Sequence, residues 1–441
     1  MTIKLRIAEF HPLRCGSDLA LFVIVWNMLA AVLIGFMKFP RSILYITDLL
    51  NIYLFINAAY NVVRSRMFKI PVPLFFILVF ALTGLISALV HHTSIALLLW
   101  GMRQNFRYFV FFFSCIVYLK QQDLERIIAI VRTVFWLSFP LCIYESVFVR
   151  YSADTIVGDM VGGIFYRIGS ANAPLNIILV VYTAYVMTKC FAGEYPFWKM
   201  LVTTFAALIM AVLAEMKLFI IEVVVIALYS MIKNKMSVKT LVCLVFGILA
   251  FDFVVTMFVS VNARGRSYYT SDLFSLQSMV EYVTRSEGYD GVGDLNRFTA
   301  IPDLISRFFE DDVVGRMIGF GLGSAEYSKS FTALTSPFYR NYSYLHYQYF
   351  AHAFIFVETG LLGIISFTMI FVSALIKASR NLRKSPFKNF YVLICLLVLL
   401  LLFYNTTVRD EQCAYLIYAL LAIPFARNFG YENKTIKERE V

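Results

Sequence analysis

The sequence predicts an all-α polytopic membrane protein of about twelve transmembrane helices with one large external loop, and three observations predict it. Hydrophobic residues make up 60% of the 441 positions and charged ones 15%, with a mean hydropathy of +0.74, whereas a soluble domain is charged at about a quarter of its positions. Apolar windows long enough to cross a bilayer recur along the chain, and an open-ended chain satisfies its backbone in hydrocarbon only as helix. One long stretch, 260–349, interrupts the recurrence before the last windows.

The windows fall at 19–37, 43–63, 72–90, 106–119, 127–148, 174–191, 199–214, 218–232 and 239–259, then at 350–376, 389–404 and 412–426. They divide the chain into a transmembrane unit, 1–259, the loop, 260–349, and a last unit with a polar tail, 350–441. With the N-terminus in the cytoplasm, the cytoplasmic connections hold 23 of the 39 Lys and Arg residues and the short external ones 8. That asymmetry places both termini inside and the long loop outside. The net charge of +11 is this topological bias and does not call for nucleic acid. None of the seven cysteines falls in the loop, so no disulfide framework is expected. A polar stretch precedes the first window without a small-residue cleavage pattern after it, so no cleavable signal peptide is expected.

Between the windows, 91–107 reads as an amphipathic approach to the fourth span, with Arg103 and Arg107 one helical turn apart. The segment 149–173 holds Gly158, Gly162, Gly163 and then Tyr166-Arg167, and reads as an ordered loop ending where Pro174 opens a helix. The windows from 199 to 232 span 34 residues, about 51 Å as helix, less than two crossings of a ~30 Å core. Their turn, with Glu215 and Lys217, is therefore recessed, and charge there requires a cavity. In the long loop, Phe298, Ile301, Leu304, Ile305 and Phe308 have helical spacing, so 294–312 reads as a helix decorated by Arg297, Arg307 and the Glu310-Asp311-Asp312 run. That acidic run reads as solvated, not as a metal site. Asp48, Glu145, Glu222 and Asp252 lie within windows and read as packing or cavity-lining groups.

Arg297-Phe298 before Gly319-x-Gly321-x-Gly323, His352 before Glu358-x-Gly360, and Arg167-x-Gly169 before Asn172 and Pro174 form a pattern that resembles the O-antigen polymerase and O-antigen ligase superfamily. The chain departs from it where Ala353 stands for an Asn, where Ala173 separates Asn172 from Pro174, and where Glu215-Met-Lys217 replaces Ser-Arg-Gly at the recessed turn. The resemblance implies a GT-C-like glycosyltransferase of the bacterial inner membrane. Its substrate would be an undecaprenyl-diphosphate-linked oligosaccharide in the lipid bilayer, and a chain-length co-polymerase is a possible partner. A polymerase of O-antigen, capsule or exopolysaccharide is favoured over a ligase to lipid A-core.

Displacing a polyprenyl diphosphate requires cations to neutralise the charge that grows on the leaving group and a base near the attacking hydroxyl. Arg297 and His352 are thus the expected catalytic residues, with His346 a rival for the base. Lys217 and Arg167 are expected to bind the diphosphate or glycan, Gly321 and Gly323 to let backbone approach it, and Tyr347 to meet sugar. No cofactor and no metal is expected, because the first external loop, Lys38-Phe-Pro-Arg41-Ser, offers no acidic ligand. A polyprenyl-oligosaccharide flippase also has about twelve spans, but it needs inverted repeats and not one long external loop.

Overall fold

The computed structural model describes residues 12–65, 70–149, 160–166, 170–233, 293–328, 331–381 and 387–426, and among them every regular element is helical. The helices are α1 (Pro12–Met37), α2 (Tyr45–Ser65), α3 (Val72–Val90), α4 (Ile95–Tyr118), α5 (Asp123–Phe148), α6 (Asn172–Phe191), α7 (Phe197–Leu213) and α8 (Lys217–Lys233). The loop contributes α9 (Ala300–Phe308), α10 (Val313–Ile318) and α11 (Pro337–Tyr342), and the chain returns through α12 (Ala351–Asn381), α13 (Lys388–Tyr404) and α14 (Glu411–Ala422).

Six helical stretches among the described residues are long and apolar enough to cross a membrane: Gly16–Met37, Arg41–Arg64, Val72–Val90, Asp123–Phe148, Asn172–Phe191 and Ala351–Arg380. Three shorter apolar helices, Phe197–Leu213, Lys388–Tyr404 and Glu411–Phe425, accompany them. The chain is an all-α membrane protein. Two of the expected windows look different as helices, and the window 239–259 lies outside the described residues. The window 106–119 is the C-terminal half of α4 and the approach 91–107 runs into its N-terminal half, so the amphipathic approach and the span are one continuous helix. The window 218–232 is α8, which opens on Lys217. At 17 residues each, α7 and α8 are about 26 Å long, and the chain reverses between them through Glu215 at φ 52°.

Helix α6 is the hub. It packs against α5, α7, α8 and α13, and its side chains from Pro174 to Lys189 are buried. Around it, α4 packs on α1, α2 and α14, while α12 lies along α3 and α13. The intramembrane acids are tied to neighbours. Asp48 accepts from Arg103 at 2.9 Å, Glu222 from the Asn176 amide at 2.9 Å, and Glu145 from the Gly162 N–H at 3.1 Å. Asp252 lies outside the described residues.

The loop folds onto the end of α12. Leu295, Ala300, Leu304, Phe309, Ala325, Leu345 and Tyr347 form a second core with Phe350, Phe354, Phe356 and Val357. Of the expected helix over 294–312 only 300–308 is helical, and Arg297 lies in the turn before it. α9 stops at Phe308, and Asp312 starts α10 by accepting the Gly315 N–H at 2.8 Å. Glu310 and Asp311 are exposed, so the acidic run is solvent plus a helix cap.

Candidate functional site

The site begins with a broken helix. Gly360 sits at φ 61°, ψ −161° inside α12, which frees the carbonyls of Val357 and Glu358 from their usual partners one turn on. The glycine turn takes them: Phe320 N–H donates to Val357 O at 2.8 Å and Gly321 N–H to Glu358 O at 2.9 Å. The Glu358 carboxylate then accepts from the Gly323 N–H at 2.9 Å and the Ala325 N–H at 3.4 Å. The turn is also driven against α3 and α4. A Cβ on Gly321, at φ 99°, would meet the Ala88 Cα at 2.5 Å, and one on Gly323 the Leu97 carbonyl. The close approach these glycines permit is to helix backbone, where sequence analysis expected a phosphate or sugar. The two sequence motifs, Gly-x-Gly-x-Gly and Glu-x-Gly, are the halves of one clasp.

The clasp sets where the loop meets α12. His352, 4% exposed, lies with Nε2 at 2.9 Å from the Arg297 carbonyl oxygen and packs near Phe350 and Phe403. A carbonyl only accepts, so Nε2 carries the proton and donates. The Arg297 guanidinium rests over the Tyr404 ring at 4.0 Å and the Phe350 ring at 5.6 Å. Burial lowers the ammonium of Lys217, in the turn that opens α8, from its ordinary value; Glu215 opposes that shift and the charge of Arg297 adds to it. Arg297 and His352, far apart in sequence, therefore meet, and Lys217 lies within the field of Arg297. Arg167 lies outside the described residues.

The histidines differ in what they can do. His352 is turned onto backbone, whereas His346, in a left-handed turn at φ 55°, places Nδ1 3.5 Å from the Asp294 carboxylate and stacks on Tyr349 at 4.9 Å. The expected sugar contact, Tyr347, is fully buried; its hydroxyl donates to the Ala325 carbonyl at 2.8 Å, and burial pushes the phenol well up from its ordinary value. Arg307 ties the loop by donating to the Gly293 carbonyl at 2.8 Å.

Beside this cluster opens a cavity of about 510 Å³, walled by α4, the turn after Pro40, the loop segment 326–328 and the connection between α13 and α14. Arg103 pairs with Asp48 at 2.5 Å, Arg107 with Glu411 at 2.8 Å and Arg409 with Glu326 at 2.6 Å. Burial pushes the Glu326 carboxyl up from its ordinary value, and Arg409 and Arg107 pull it back. Burial also raises the Tyr327 phenol, to about 12. Asn105 joins the cavity to the clasp: its carbonyl accepts from Arg409 Nε at 3.1 Å and its amide donates to Glu358 at 3.4 Å. Sequence analysis singled out Arg103 and Arg107 but not Arg409, Glu326, Asp410 or Glu411. The available signal was the Arg409-Asp410-Glu411 run, three charges in a short turn between two apolar windows.

The chain matches no family model, no curated protein and no solved structure.

Proposed function

We propose that the chain is a polysaccharide polymerase: a GT-C-like membrane glycosyltransferase of the O-antigen polymerase and ligase kind. It would act at the outer face of the bacterial inner membrane, with twelve spans and both termini cytoplasmic. The observation that carries the reading is the convergence of Arg297 and Lys217. Two cations whose fields overlap suit a diphosphate, most of all as negative charge grows on it. The histidines divide the remaining work. His352 positions Arg297 through its carbonyl, and His346, oriented by Asp294, takes the proton from the acceptor hydroxyl. In the reaction that hydroxyl attacks the anomeric carbon of the donor sugar from the face opposite the leaving group. The bond to the diphosphate breaks with inversion, the proton passes to the imidazole, and polyprenyl diphosphate departs.

The test uses the protein in lipid nanodiscs with a labelled lipid-linked repeat unit. A ladder of longer glycans is the expected product, and Arg297→Ala should lose it at unchanged protein level. Transfer only to lipid A-core would make the protein a ligase. Movement of the lipid-linked glycan across the bilayer without any new glycosidic bond would make it a flippase.

A further inference from the structure

We propose that the arginine-lined cavity holds the sugar rings of an uncharged stretch of glycan and excludes the diphosphate. The proposal rests on the transferase reading above and assigns the acceptor's place in it. Charge decides the class of ligand. Arg103, Arg107 and Arg409 each face a carboxylate at 2.5–2.8 Å. The lining also holds a fourth arginine, Arg41, and a further carboxylate, Asp410, so formal charges cancel. The wall is thus balanced. A diphosphate entering it would meet the carboxylates of Glu326, Asp410 and Glu411.

A sugar fits what the balance offers. Each hydroxyl both donates and accepts, and guanidinium forks alternating with carboxylates present donors and acceptors side by side. The rings supply the second requirement, because the C–H face of a pyranose is apolar and packs on an aromatic surface. Tyr45 and Trp100 flank Arg103 at 4.6 and 4.9 Å, and Tyr327 stacks on Tyr339 at 4.5 Å with 14° between the planes. At about 510 Å³ the cavity lies within the range for small-molecule ligands.

Position ties the cavity to the reaction. Tyr349, which lines it, is the ring on which His346 stacks. Thr406 lines it two residues beyond Tyr404, the ring that carries Arg297. A glycan lying in the cavity has its end at the imidazole, and the anion sits across the same segment of chain.

The experiment titrates the protein in nanodiscs with two soluble compounds. One is the oligosaccharide released by mild acid from the lipid-linked repeat unit; the other is inorganic pyrophosphate. Binding is read from the part of the tryptophan fluorescence that Trp100→Phe removes. The oligosaccharide should change that signal and pyrophosphate should neither change it nor compete. A Trp100-dependent response to pyrophosphate, or none to the oligosaccharide, overturns the proposal, as does preference for a carboxylate-bearing oligosaccharide over a neutral one. Arg41 is exposed on its short turn: Arg41→Ala should raise the acceptor KM about tenfold, the loss of one charge-assisted hydrogen bond, at unchanged kcat. An unchanged KM counts against the proposal. Trp100-dependent oligosaccharide binding by a wild-type protein that transfers nothing would sink the transferase reading and leave the glycan cavity standing.

Discussion

The cavity and the Arg297 cluster are built on the same stretch of chain, 403–412, yet they handle charge in opposite ways. In the cavity α2, α14 and the loop each bring a carboxylate to an arginine, so the wall is polar without a strong field. At the cluster the guanidinium of Arg297 lies on two rings, and its field reaches the ammonium of Lys217. The difference teaches where each half of a lipid-linked glycan belongs. Balanced pairs suit hydroxyls, which need neither charge, whereas a concentration of positive charge suits the diphosphate.

The largest expected effect tests the cavity's balance. Glu326 and Arg409 have side chains 5% and 10% exposed, so Glu326→Ala leaves a buried guanidinium without its carboxylate. Loss of one partner of such a pair costs about 3–5 kcal/mol. Thermal unfolding in detergent should show it, with Glu326→Gln milder because the amide still accepts. An unfolding midpoint equal to wild type in Glu326→Ala would mean that the pairing contributes nothing.

Next comes the cluster. Arg297→Ala should lower turnover by on the order of 10² or more, about 2.7 kcal/mol of transition-state stabilisation. Lys217→Ala should fall similarly and Lys217→Arg should recover most of it, because the position supplies charge. Full turnover in Lys217→Ala would reduce that ammonium to a partner of Glu215 and dissolve the contrast between the two regions.

The division of the histidines can be tested in the same assay. His346→Ala should cost on the order of 10² in rate, the contribution of a base. His352→Ala should cost about tenfold, and His352→Gln should restore most of it, since a glutamine amide can still donate to the Arg297 carbonyl. A glutamine that rescues nothing, beside an active His346→Ala, would return the base role to His352.

How much of this could be read from the chain depended on the distance over which the cause acts. Helices were legible from runs of apolar residues, but their neighbours were not. Arg41–Arg64 and Asn172–Phe191 share a hydropathy of 1.4, yet 28% of one window is buried inside the protein and 83% of the other. Hydropathy distinguishes water from everything else; it does not distinguish lipid from protein. Arg297, Lys217 and His352 could be singled out in the sequence because chemistry restricts residue type. Long-range pairings could not be, since Arg409 reaches Glu326 across 83 positions and Gly323 reaches Glu358 across 35. The glycines were legible as a turn and misleading as to what approaches it.

Tyr347 provides the smallest and sharpest test, because its surroundings reverse the role its sequence context suggested. Five tyrosines between 339 and 349 invite a sugar-stacking surface, but among them Tyr347 is fully buried and packs between Phe338 and Phe354. Its hydroxyl, held 2.8 Å from the Ala325 carbonyl, fastens the residue next to Glu326 and so supports the cavity wall from behind. Tyr347→Phe removes that one hydrogen bond and keeps the ring, which should cost about 1 kcal/mol of stability. Acceptor KM should stay at its wild-type value. The same change at Tyr349, whose ring lines the cavity, should raise KM if its hydroxyl meets the glycan. Should Tyr347→Phe raise the acceptor KM without lowering the unfolding midpoint, the glycan lies on the Tyr347 side of the loop, and the cavity is not where the acceptor binds.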